Sequence, residues 1–143
     1  MIEGGNHHSI GLTDDGTCLV WGCVSSSQMG LDMKTIHDAP GVITDIRGNP
    51  RVLLRPTALP TPQCAYICAG NDHNLAVTSG GTAYSWGLNV TGQCGQGPDG
   101  DSDEEPEDTV TVATLIASST VGNQKISWTG AGAQFSMLAC PAL

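Results

Sequence analysis

Positive charge is scarce in this sequence. Its 143 residues hold five Lys and Arg against 14 Asp and Glu, a net charge of −9. That balance leaves no basic footprint for a nucleic-acid backbone and favours basic partner surfaces. Charged residues make up only 13% of the chain and aromatics 4%. No apolar run is long enough to cross a bilayer, so no membrane partner is expected. Met1-Ile2-Glu3-Gly4-Gly5 lacks the basic head and apolar stretch of a signal peptide, which reads as an intracellular chain. The sequon Asn89-Val90-Thr91 is then incidental, because the enzyme that reads it works in the secretory lumen. There is no Ser-His-Asp pattern, phosphate loop or HExxH motif, so covalent enzyme chemistry has no support. The six cysteines form no CxxC pair, and Cys64 and Cys68 have no histidine partner at zinc-site spacing. Buried free thiols are expected, with no metal or cofactor.

What is abundant is glycine, 19 residues, and it recurs in register. Gly5-Asn6-His7-His8-Ser9 returns 65 residues later as Gly70-Asn71-Asp72-His73-Asn74. Trp21-Gly22 maps to Trp86-Gly87, Gln28 to Gln93 and Gly30 to Gly95 without a gap. A weaker third copy opens at Gly132-Ala133-Gln134-Phe135-Ser136. A repeat of this length means an array of one supersecondary unit. The copies span about 1–62, 63–123 and an incomplete 124–143.

Each copy predicts a hairpin. Ser9 to Leu12 and Thr17 to Trp21 flank the turn Thr13-Asp14-Asp15-Gly16; Asn74 to Val77 and Thr82 to Trp86 flank Thr78-Ser79-Gly80-Gly81. A long loop follows each, from about Met33 to Asn49 and from about Gly97 to Asp108. Further strands are expected at Arg51 to Leu54, Tyr66 to Ala69, Val110 to Leu115 and Ile126 to Trp128. Four strands per copy is the count of a propeller blade. No segment shows helical periodicity, so little helix is expected. The fold expected is all-β: a partial β-propeller with about two blades and part of a third. Two and a bit repeats leave open sheet edges, so the chain is expected to be part of a larger array.

The pattern Gly-x-x-His-Ser, Asp-Gly turn, Trp-Gly and Gln-x-Gly resembles the regulator of chromosome condensation repeat. Ala69-Gly70-Asn71-Asp72-His73 through Tyr84-Ser85-Trp86-Gly87 is the better preserved copy, and the likeness covers essentially the whole chain. The acidic insertion and the late Gly-Ala-Gln-Phe-Ser look like the last repeats of the fungal form. The resemblance implies a seven-bladed ring whose last blade is completed by a strand from the N-terminal end. It also implies guanine-nucleotide exchange on the small GTPase Ran, in the nucleus, with histones or chromatin bound through the intact parent. The alternative is a propeller-repeat interaction module without exchange activity.

His7, His8, Asp72 and His73 stand where loops meet strand starts on one face. By motif position the resemblance makes His8, Asp72 and His73 matches to partner-contacting residues. Read from residue chemistry, a histidine recurring in each copy ties its loop to its surroundings, and an aspartate beside a loop glycine is a common turn former. His37-Asp38 reads as surface. The segment Asp99 to Asp108 opens like a calcium loop, but Glu104 stands where the turn glycine belongs and Val110 where the bidentate glutamate belongs. It reads as a solvated acidic loop, with attraction to a basic partner as the other reading.

Overall fold

The computed structural model describes residues 1–97, 107–116 and 121–141. The acidic segment 99–108 lies outside them apart from Glu107 and Asp108. Among the described residues the strands form three antiparallel sheets. The first contains β1 (Ile2–Gly4), β2 (His8–Leu12), β3 (Cys18–Cys23), β4 (Val42–Thr44) and β5 (Pro50–Ala58), ordered β1-β2-β3-β5-β4. The second holds β6 (Cys64–Ala69), β7 (His73–Thr78), β8 (Ala83–Leu88) and β9 (Thr109–Leu115) in sequence order. The third is the hairpin β10 (Trp128–Ala131) and β11 (Ser136–Ala139). This is a partial β-propeller of two blades and the beginning of a third.

Strand periodicity explains the stacking. Successive side chains on a strand point to opposite faces. In β7, Ala76 joins the core shared with the first sheet, while Leu75 and Val77 join the core shared with the third. In β6, Ile67 and Cys68 divide the same way. The second sheet is therefore covered on both faces, and β7 is buried at every position. Four cysteines, Cys18, Cys64, Cys68 and Cys94, are buried free thiols, as expected. Burial pushes Cys18 and Cys94 up to about 12, which keeps them protonated.

Two segments differ from the sequence reading. The stretch expected as a loop from Met33 to Asn49 contains a short helix, α1 (Met33–Asp38), and β4. Asp32 caps α1 by accepting from the Thr35 N–H at 2.8 Å, and Ile36 is buried under it. Six residues are too few to show a 3.6-residue period, so the apolar pattern carried no signal. The strand expected over Ile126 to Trp128 lies further on, at Trp128–Ala131. Ile126 instead seats its side chain in the second core and its N–H on the Gly81 carbonyl at 2.9 Å.

The glycine-asparagine turns hold adjacent blades together. The Asn6 N–H donates to the Asn71 carbonyl at 2.9 Å, and the Asn71 N–H to the Ala133 carbonyl at 3.2 Å. A Cβ at Gly5 would lie 2.6 Å from the carbonyl oxygens of both Gly70 and Asn71; one at Gly70 would lie 2.5 Å from that of Gly132. Glycine is required there by close backbone approach.

Candidate partner-binding face

The turns that join the blades also carry the sequence-predicted site residues. Asn6 and His7 are exposed, Asn71 and Asp72 half-buried, and Ala133 and Gln134 exposed. The backbone fixes each turn. The His7 carbonyl accepts from the Cys23 N–H and the Asp72 carbonyl from the Leu88 N–H, both at 2.8 Å. One Asp72 carboxylate oxygen accepts from Gln28 Nε2 at 3.2 Å, and the other faces Asn6 Nδ2 at 3.5 Å. Three copies thus contribute to one row, with a single carboxylate held between two amides of the first copy.

His8 and His73 sit beneath this row and are buried. Each ring lies over the glycine that opens its own motif, Gly5 or Gly70. His8 Nε2 meets Asn74 Oδ1 at 2.8 Å, and Asn74 Nδ2 donates onward to the Gln28 carbonyl at 2.9 Å. His73 Nε2 meets Ser136 Oγ at 2.9 Å, and Ser136 donates onward to the Gln93 carbonyl at 2.7 Å. In both chains the last group must donate to a carbonyl. The atom facing each imidazole is therefore an acceptor, and Nε2 carries the proton. Nδ1 of each ring is buried with no hydrogen-bond partner. Burial holds both histidines below their usual pKa, against the opposing pull of Asp72. They are neutral latches to the next blade.

The four predicted residues thus come together but divide in kind. His7 and Asp72 reach solvent, while the Nε2 groups of His8 and His73 are engaged by the neighbouring blade. The latch partners Asn74 and Ser136, and the carbonyls of Gln28 and Gln93, were not singled out from sequence. Their signal was present in the recurrence of Gln28 at Gln93. The third copy puts exposed Phe135 over Gly132, in the place of the latch histidine. Beside Gln28, exposed Ser26 and half-buried Ser27 hold left-handed φ angles of 54° and 59°. The second copy places Gly92, φ 73°, where Ser27 stands. Non-glycine residues in that region mark a turn over-determined by its surroundings.

The regulator of chromosome condensation (RCC1) repeat matches residues 65–96. The chain belongs to the regulator of chromosome condensation repeat family. Protein pim1 of Schizosaccharomyces pombe is 39% identical over 140 residues, 96% of this chain and 24% of its own length. Guanine nucleotide exchange factor SRM1 of Saccharomyces cerevisiae is 31% identical over 137 residues, 95% of this chain and 27% of its own. The crystal structure of Prp20p from Saccharomyces cerevisiae, reported with its binding properties to Gsp1p and histones, superposes with a TM-score of 0.87 at 30% identity. That match covers 100% of this chain and 31% of Prp20p. The chain spans about a quarter of the length of the curated relatives it matches.

Proposed function

We propose that this stretch forms part of the GTPase-binding face of a nuclear guanine-nucleotide exchange factor for a Ran-like small GTPase. The observation that carries the reading is the row Asn6-His7, Asn71-Asp72 and Ala133-Gln134, locked by backbone bonds and presenting one carboxylate. The relative named as an exchange factor and the structure reported with Gsp1p binding support it.

The chemistry is differential binding. A small GTPase holds its nucleotide through backbone amides, a lysine and Mg²⁺. An exchange factor must bind the nucleotide-free form more tightly, because only differential affinity shifts the equilibrium. A carboxylate fixed on a rigid face can pair with cationic or amide groups that the departing phosphates uncover. Asp72 and His7 are the contact residues in this reading; His8 and His73 position them. Histone or chromatin contact belongs to the intact parent.

The test is release of labelled GDP from Ran by the parent protein carrying this stretch. Asp72→Ala should slow release by roughly tenfold, the scale of one lost charge-assisted hydrogen bond, with an unchanged melting temperature. Unchanged release with a normal fold would sink the assignment of Asp72. Ran binding without accelerated release would leave an interaction module in place of an exchange factor.

A further inference from the structure

Trp86 shows how one blade receives the next. Its indole is fully buried, and Nε1 donates to the Gln28 carbonyl at 2.9 Å. The ring lies on Gly30, where a Cβ would come within 2.6 Å of Cδ1. The Gln28 oxygen thus accepts two bonds, from Trp86 Nε1 and from Asn74 Nδ2.

The same seat recurs one blade on. Gln93 and Gly95 stand at the positions of Gln28 and Gly30, and Gly95 holds φ 64° against 61° for Gly30. The Gln93 carbonyl accepts from Ser136 Oγ, which occupies the place of Asn74. Where the second indole would lie there is a cavity of about 500 Å³, lined by Leu75, Gln93, Cys94, Gly95, Ile116 and Leu138 among others. At its mouth runs β11, paired with β10 on one side only among the described residues.

We propose that this cavity is the seat of an indole on a β-strand that pairs antiparallel with β11. The strand is a further copy of the repeat's Trp-Gly strand, from polypeptide outside residues 1–143. Relatives about four times longer leave room for such copies. The indole N–H takes the second acceptor position of the Gln93 carbonyl, its ring lies on Gly95, and its apolar edge meets Leu75, Ile116 and Leu138. A second copy of this chain offers no such strand. Trp21 is on β3, flanked by β2 and β5, and Trp86 is on β8, flanked by β7 and β9.

A synthetic peptide with the sequence Thr82–Leu88 tests this, compared with the same peptide carrying alanine for tryptophan. Two readouts apply to the full chain: amide exchange across Ser136–Ala139, and alkylation of Cys140, which is exposed and lines the cavity. The tryptophan peptide should slow both by at least about tenfold, and the alanine peptide should not. This holds whatever the starting protection of the chain, since occupancy of the seat stabilises β11 by mass action. Equal protection by the two peptides, or none at saturating concentration, overturns the proposal. Protection that rises with chain concentration and ignores the peptide overturns it in favour of self-association.

Discussion

Mild acid should loosen the blade stack through His8 and His73. Both are buried and neutral, with folded-state pKa values below the unfolded value near 6.5. Their contribution is therefore complete above pH 6.5 and is lost as the pH falls below it, toward the folded value. At pH 5.5 an unfolded histidine gains about 1.4 kcal/mol from protonation that a buried neutral one forgoes. Two such groups give at most about 2.8 kcal/mol between pH 7.5 and 5.5, reduced by the favourable field of Asp72. His7 and His37, both exposed, contribute little difference between the two states. Asp15, Asp32 and Asp45 are held below the usual carboxylate range by hydrogen bonds from Thr13, Thr35 and Asn49 respectively. Their stability is lost only below about pH 4, outside this window. The discriminating variant is His73→Phe, because Phe135 already occupies the matching position over Gly132. It should cost about 1 kcal/mol at pH 7.5, the bond to Ser136, while Ser136 keeps its bond to Gln93. It should also halve the acid-dependent loss. Urea unfolding of parent and variant at both pH values measures this. Equal acid sensitivity of the two proteins would refute the neutral-latch assignment.

Two further predictions concern packing and capping. Trp86→Ala should destabilise by about 3–5 kcal/mol in urea unfolding, because it empties the space between the first two blades; Trp86→Phe should cost much less, since Asn74 still satisfies the Gln28 carbonyl. Asp32→Ala should cost about 1 kcal/mol by removing the cap of α1, with proteolysis rising first near Met33–Asp38; an unchanged unfolding midpoint would count against the cap.

The sequence displayed the fold wherever the copies agree. Both hairpins, their glycine turns and the four buried thiols follow from residues that recur or alternate. It was silent where one copy carries something the other lacks. α1 is held by a single Asp32 cap and one buried Ile36, and β4 adds a fifth strand to the first sheet only. Neither has a second copy to reveal it.

The candidate site follows the same logic with one reversal. Recurrence drew attention to His8 and His73, and burial explains why they recur: each must reach across to the next blade, a demand that repeats with the blade. Contact with a partner need not repeat, because a partner touches different blades with different chemistry. The informative positions on this face are therefore those where aligned copies diverge above an invariant latch. His7 in the first copy, Asp72 in the second and Gln134 in the third occupy one turn position with three different side chains. The backbone bonds from Asn6 to Asn71 and from Asn71 to Ala133 keep that turn in place while its side chain varies. A rigid ladder that tolerates substitution at its exposed step can present a non-repeating surface on a repeating frame.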